Sequence, residues 1–573
     1  MSNIDWLVII IVLAGIILYG LYRSRTTKNL DGYFLSNRNM PWYIILLGIM
    51  GTQASAVTFL SGPGQSYADG MRFVQYYFGL PLAMVVICIT FVPLFNRLKV
   101  YTAYEFLENR FDHKTRLFTS FLFLLQRGLS TGISIYAPSI IISALFGWDI
   151  FWTNIFMGGL LIIYTVTGGA KAVAHTQKIQ FIIIFITMLL VAYMIIHKLP
   201  AGIGITEALH VGGKLGKLNV ITTGKTANGF NWNDRYNIWS GLIGGFFLAL
   251  SYFGTDHSQV GRYLTAKSNR ASRIGLLMNG LVKVPMQFFI LLIGVLIFAF
   301  YQFNTAPLSF NDALLSDVKK SSYKDSAAVL QSKYDSVTAR KHILLGGFVN
   351  TLHAASANAD SLTGELKKED LKSEEYRKDF KRIAAKASAK DSNDTNYIFL
   401  SFVKNYLPDG LKGLLIAVIF LAAWGSIAAS LNSLAASTVV DFHKRLFVEK
   451  LPVHEYRISK WYTFAWGAFA ILIAQFSTKL GQSLIEAVNV LGSLFYGVIL
   501  GIFLVAFYFK RIKGNAAFYA ALLTEIFVVI LFFNEQIPYM HWLPDISFLW
   551  LNVIGAVGVI LVSSIFQVLT KKN

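Results

Sequence analysis

Thr52, Gln53, Ser55 and Thr58 crowd into the middle of Pro41 to Gly70 (PWYIILLGIMGTQASAVTFLSGPGQSYADG), an otherwise apolar stretch. It is long enough to cross a bilayer, which takes about 20 residues. Hydroxyls and amides cost free energy in lipid unless they face a cavity or another helix. Four of them together, in a stretch ending in Gly62-Pro63-Gly64, read as a broken helix lining a solute site. A polar seam packed against a neighbouring helix would use the same residue types, so this stretch alone leaves both readings open.

The run at about 237–262 repeats the pattern in the opposite direction. Ser251, Tyr252, Gly254 and Thr255 stand at its centre, followed by Asp256 and His257. Two interrupted spans, opposite in direction and five spans apart, are the signature of an inverted-repeat transporter. Lys283 is a lone charge in the apolar run GLVKVPMQFF. An intramembrane charge reads as functional, the alternative being a salt bridge within the bundle. Between 411 and 440, small residues stand at nearly every position, as close helix packing requires. Ser426, Ser430, Ser433 and Thr438 also offer oxygens, the ligands hard cations take.

The elements that must position these groups are membrane helices. Only 14% of residues are charged and 55% are hydrophobic, whereas a soluble domain carries about 25% charged residues. Apolar runs at about 5–22, 42–61, 73–96, 117–146, 150–167, 179–197, 237–261, 277–301, 411–440, 461–478, 483–508, 515–534 and 548–570 predict about thirteen helices of an all-α polytopic membrane protein. The net charge of +20 comes from short basic clusters between those runs, so it marks orientation and implies no nucleic acid. Seven clusters (Arg23 and Arg25, Arg97 and Lys99, Lys114 and Arg116, Arg262 to Arg273, Lys444 and Arg445, Lys510 to Lys513, Lys571 and Lys572) fall on one side if the chain alternates. That side is the cytoplasm, with the N-terminus outside and the C-terminus inside. The polar stretches at about 198–236 and 302–410 then lie outside, the second as partly ordered surface helices. No nucleophile elbow, zinc-protease motif or P-loop occurs, so an enzyme is not expected.

Several segments together resemble the solute:sodium symporters, a family of sodium–sugar, sialic acid, iodide and vitamin transporters. They are SAVTFLSGPGQSYADG (55–70), RLKVYTAYEFLENRFDHKTRLF (97–118), YTVTGGAKAVAHTQKIQ (164–180), GRYLTAKS (261–268) and SLNSLAASTVVD (430–441). The closest patterns are those of bacterial sodium–galactose and sialic acid transporters. The resemblance implies a LeuT-like core of two five-helix inverted repeats, at 42–197 and 237–508. A leading helix and link (1–41) would precede it, and trailing helices (509–573) would follow.

The resemblance also implies a sodium site built from the carbonyls of Gly51, Ala54 and Ala422 with the hydroxyl of Ser426. Gly425 stands where a second hydroxyl is usual. An acidic residue of the fifth core helix maps to Gln177, and Lys178 beside it would either supply a positive charge or anchor the helix at the interface. For the solute, Lys283 and Tyr252 match sugar contacts, and Ser55 and Thr58 match hydroxyls that bind sialic acid. The arginine that pairs with the sialic acid carboxylate maps to Ser130, but Arg127 lies one turn away and could substitute. Tyr77 replaces an acidic sugar contact; Tyr76, Gln53, Glu486 and Asn489 complete the candidate set. The expected function is sodium-coupled symport of a small polar solute, a sugar or sugar acid, by a functional monomer in the inner membrane. The alternatives are a sodium-independent or proton-linked carrier and a receptor that binds without flux.

Overall fold

The computed structural model describes residues 1–24, 38–98, 100–353, 359–388, 391–444, 452–477, 483–534 and 544–570. Of the basic clusters, Arg25, Lys99, Arg445, Lys571 and Lys572 lie outside these residues. The described chain is almost entirely helical, with one small hairpin pairing Lys225–Thr226 with Gly229–Phe230. Ten helices that build the site are labelled in chain order. They are α1 (Trp42–Gln53), α2 (Ala56–Asp69), α3 (His113–Phe146), α4 (Ile150–His197), α5 (Gly245–Gly254), α6 (His257–Leu264), α7 (Asn269–Phe303), α8 (Thr395–Tyr406), α9 (Leu411–Ser437) and α10 (Leu484–Tyr508). Among the described residues nine helices are long and apolar enough to cross a membrane, or ten if the bent pair α1 and α2 is one span.

The thirteen expected runs map unevenly onto these helices. The first broken helix bends by 60° between α1 and α2. Its interruption falls at Ala54 and Ser55, and not at Gly62-Pro63-Gly64, through which α2 continues to Asp69. Those glycines serve packing instead. A Cβ on Gly64 would sit 2.0 Å from the Thr395 carbonyl oxygen of α8, and one on Gly294 of α7 would sit 2.1 Å from the Pro63 oxygen. Pro63 lacks an N–H, but neighbouring helices make such a residue tolerable inside a membrane helix.

The runs at 150–167 and 179–197 form one hydrogen-bonded helical run, α4. Even so, the Tyr164 hydroxyl lies 2.9 Å from Thr176 Oγ1. Twelve residues of straight helix would hold their Cα atoms about 18 Å apart, so α4 is not straight between them. The second broken span consists of a π-helical turn (Ser240–Gly244), α5 and α6, with Thr255 and Asp256 at its break. The residues before α1 and after α6 meet where the Met40 N–H donates to the Thr265 oxygen at 2.9 Å and the Lys267 N–H donates to the Met40 oxygen at 3.1 Å.

The 302–410 insert is more ordered than its composition suggests. It folds as Asp312–Lys320, Lys324–His353, Ala359–Ala387 and α8. A separate small core of Leu308, Leu314, Val318, Tyr334, Phe380 and Ala384 holds the first three together. Asp394, at the start of α8, is 1% exposed and pairs with Arg377 and Lys381, each at 2.7 Å. Burial opposes its ionisation, but these two cations and the Phe310 N–H hold its carboxyl below the usual carboxylate range. The rest of the insert is thereby clamped to its last helix, α8, which packs on α2 of the first broken helix.

Candidate functional site

The first break and the α5 arm of the second broken span line one central cavity of about 130 Å³, where one water needs roughly 10–15 Å³. Its lining includes nine of the ten residues expected to contact solute: Gln53, Ser55, Thr58, Tyr76, Tyr77, Arg127, Tyr252, Lys283 and Asn489. Glu486 is not among them; its carboxylate pairs with Arg235 beside the cavity. Thr52 and Ser430, polar residues that stand out in their spans, also line the cavity, as do Gln126, Ser134 and Tyr496, which the sequence reading did not single out.

The first break presents polar groups with little internal use. Ser55 starts α2 without a side-chain cap. The Thr58 hydroxyl donates to the Gln53 carbonyl at 3.0 Å, and Gln53 Nε2 donates to Asn279 Oδ1 at 2.9 Å. Because α1 ends at Gln53, the carbonyls of Gly51 and Ala54 have no helical donor. Among the described residues no backbone N–H bonds to either.

The second break is closed by its own side chains. Asp256 caps α6 through the Ser258 N–H at 2.8 Å and pairs with Arg127. Tyr496 accepts from Arg127 at 2.7 Å and donates to Asp256 at 2.6 Å. The Tyr104 hydroxyl takes the Thr255 carbonyl at 2.9 Å. Arg127 therefore stands in the cavity wall with its guanidinium already paired to Asp256. The Tyr252 hydroxyl accepts from Gln259 at 2.6 Å, leaving its ring face to the cavity and to the Arg127 guanidinium 5.4 Å from its centroid.

Two of the expected cation residues, Gly51 and Gly425, pack against Gln177 of α4. A Cβ on Gly51 would come 3.1 Å from Gln177 Cβ, and one on Gly425 would come 3.3 Å from Gln177 Cγ and 2.8 Å from Gln180 Oε1. Gln177 Nε2 donates to the Gly425 carbonyl at 2.9 Å, while its Oε1 is buried and makes no hydrogen bond among the described residues. Ser426 Oγ donates to the carbonyls of Ala422 at 3.0 Å and Ala423 at 3.1 Å, so its lone pairs stay available. Ser426 also lines the central cavity. This donor set of carbonyls, one hydroxyl and an orphaned amide oxygen suits a hard cation. It also shows why Gly425 lacks a side chain, since Gln177 and Gln180 occupy the space a serine would need. Lys178 points elsewhere: it is exposed, with its ammonium 5.7 Å over the Tyr43 ring.

One end of the cavity is tied shut. Ser483 Oγ donates to Gln65 Oε1 at 2.7 Å, the Leu484 N–H to Asn396 Oδ1 at 3.1 Å, and Tyr76 to Asn489 Oδ1 at 3.1 Å. These bonds join the start of α10 to α2, to α8 and to the turn after α2. Between α6 and α9 runs a narrower crevice of about 20 Å³, lined by His257, Ser258, Arg262 and Asn432.

A bundle of apolar helices with two broken spans packed around a polar cavity is the architecture of a multi-pass membrane carrier. The model of the sodium:solute symporter family matches residues 33–324 and 376–524, and the chain belongs to that family. It is 24% identical over 567 residues to the sodium/sialic acid symporter SiaT of Proteus mirabilis (strain HI4320), covering 98% of this chain and 94% of that one. It is 22% identical over 579 residues to the sodium/sialic acid symporter NanT of Aliivibrio fischeri, covering 100% and 94%. The sodium-dependent multivitamin transporter of Oryctolagus cuniculus is 25% identical over 519 residues, covering 89% and 67%. A solved structure of a sodium-coupled sialic acid symporter in its substrate-bound outward-open state superimposes with a TM-score of 0.74 at 23% identity, over 99% of this chain and 98% of that one. That likeness establishes the inverted-repeat, LeuT-like fold. Family membership makes the chain a transporter and not an enzyme. The residues the family model leaves unmatched, 325–375, fall inside the insert, whose flanks at 302–324 and 376–410 are matched.

Proposed function

We propose that the chain carries out sodium-coupled symport of a small polar solute, a sugar or sugar acid, by alternating access. One observation supports this above the others: the first break offers oxygens to a cation and polar groups to a solute within Gly51 to Thr58. Ser426 belongs to both neighbourhoods. A cation at the Gly51, Ala54, Ala422 and Ser426 oxygens would fix the end of α1 and hence the orientation of Gln53 and Ser55. Solute and sodium would then each bind better when the other is present, which is all that coupling requires. The orphaned Gln177 oxygen would complete the ligand set that Gly425 leaves short. Its amide nitrogen on the Gly425 carbonyl is a contact that sodium would have to share, so we expect weak apparent sodium affinity.

We place the protein in the inner membrane as a functional monomer, with the N-terminus and the insert outside and the C-terminus in the cytoplasm. Repeats at 42–197 and 237–508 would form the core, with 1–41 leading and 509–573 trailing. Basic residues on alternate connections support this orientation. Cysteines introduced at Ser321 and Asp391 should react with an impermeant reagent added outside; reaction only from the cytoplasmic side would reverse the assignment.

Uptake of N-acetylneuraminate and of galactose into proteoliposomes tests the transport reading. Accumulation of at least one of the two, driven by an inward sodium gradient, is expected. Equally concentrative uptake in choline buffer would mark a sodium-independent or proton-linked carrier, and binding without flux would mark a receptor.

A further inference from the structure

The cavity holds one charge that the protein leaves unanswered. Lys283 is 2% exposed and lines the cavity from α7. Among the described residues no carboxylate pairs with it. Its nearest charge-stabilising neighbour is the Tyr77 ring, whose centroid lies 5.3 Å from Nζ. The other cation of the wall, Arg127, is held by Asp256 and Tyr496. No Asp or Glu belongs to the lining, and Glu486 is engaged by Arg235. Among the described residues of the cavity wall, Lys283 is therefore the basic side chain left without a carboxylate partner.

An ammonium removed from water without a counter-charge is unfavourable, and a single ring face offsets that only in part. We propose that the missing counter-ion is the solute: Lys283 receives a carboxylate, and the cavity takes a small hydroxylated organic anion in preference to the corresponding neutral sugar. Polar groups beside Lys283 suit the remainder of such a molecule. Asn279 lies one helical turn away on α7 and holds the Gln53 amide nitrogen, which leaves the Gln53 oxygen for solute hydroxyls. Ser55, Thr58 and Asn489 add further donors and acceptors. A neutral sugar could satisfy these groups but not the charge. Specificity against the neutral analogue thus arises from a buried group it would leave unpaired.

The inference rests on the transport reading for its solute class, so the test separates the two. The full chain is purified and its binding measured by calorimetry for matched pairs in sodium buffer: glucuronate and glucose, galacturonate and galactose, N-acetylneuraminate and its methyl ester. At least one acid should bind, and should exceed its neutral partner by about tenfold or more, as expected for a charge-assisted contact. Lys283→Gln should lose that preference, whereas Lys283→Arg, which stays charged, should keep it. Without solute, the melting temperature of Lys283→Gln should not fall, because an uncompensated charge has been removed. Neutral members binding as well as acids, no acid exceeding its partner in any pair, or an unchanged preference in Lys283→Gln would each overturn the proposal. Sodium-driven uptake of a neutral sugar would overturn the anion proposal while leaving symport intact. Acid binding without uptake would do the reverse.

Discussion

The two broken helices occupy related positions in the fold but treat their exposed backbone differently. At the first, the chain passes from α1 to α2 through Ala54 and Ser55 with no side-chain cap, and the carbonyls of Gly51 and Ala54 are left without donors. At the second, Asp256 caps α6, neutralises Arg127 and accepts from Tyr496, while Tyr104 takes the Thr255 carbonyl. Interrupted backbone in a membrane must be satisfied by protein, water or ligand. The second break is answered by protein, and so acts as a brace. The first leaves the Gly51 and Ala54 carbonyl oxygens without a backbone donor among the described residues, the groups proposed to meet a ligand.

Substitutions at the brace should therefore act on stability, and substitutions at the first break on ligand affinity. The largest effect is expected from Asp256→Ala, which leaves Arg127 buried without a partner. Removing one member of a buried pair costs about 3–5 kcal/mol, so folded yield and melting temperature should fall sharply. Replacing Arg127 and Asp256 together by Met and Leu should recover much of that loss. If Asp256→Ala melted like the parent, the brace would have to be abandoned.

Next in size is the cation side. Ser426→Ala removes the one side-chain hydroxyl of the proposed ligand set, a loss of about 1–2 kcal/mol. The sodium concentration for half-maximal uptake should rise roughly tenfold, with little change in melting temperature. Gln177→Glu places a formal charge where the orphaned amide oxygen lies and should shift the same parameter downward. Equal sodium dependence in both variants would remove α4 from the site.

A smaller effect is expected from Ser55→Ala. Ser55 makes no capping bond, so the fold should be indifferent, while solute affinity should drop by about 0.5–1.5 kcal/mol, the usual worth of a hydrogen bond. A fall in melting temperature with unchanged affinity would show that Ser55 is as structural as Asp256.

The smallest effect concerns the insert. The Asp394 carboxyl is held below its ordinary range by Arg377 and Lys381. A depressed folded-state value gives stability that is complete above the unfolded-state value, about pH 4, and is lost only as pH falls through the folded one. Limited proteolysis of the insert should thus be unchanged between pH 7 and pH 5. Loosening within that range would contradict the clamp.

Much of this was legible in sequence because lipid makes polarity informative. Thr52, Gln53, Ser55 and Thr58 stood out in an apolar span, as did Lys283, and all but Thr52 had been expected to contact solute; all five line the cavity. Gly62-Pro63-Gly64 misled because the same residues serve a helix break and close packing against α7 and α8. The brace was hidden for another reason. Arg127 and Asp256 are 129 positions apart, and no local pattern declares such a pairing. Tyr496 sits in LFYGVILG, where it reads as one more core aromatic. Glu486 is polar at a helix start, a position that suits a solute contact and a surface ion pair equally, and its pairing with Arg235 depends on a loop some 250 residues earlier.

The central claim is that the first break, with α9 and Gln177, holds sodium. The most direct measurement needs no solute: thermal melting of the purified chain titrated with sodium chloride, against potassium and choline chloride at equal ionic strength. A saturable rise in melting temperature with sodium alone, displaced to higher concentration in Ser426→Ala, is the expected result. Identical melting in all three salts would contradict the account.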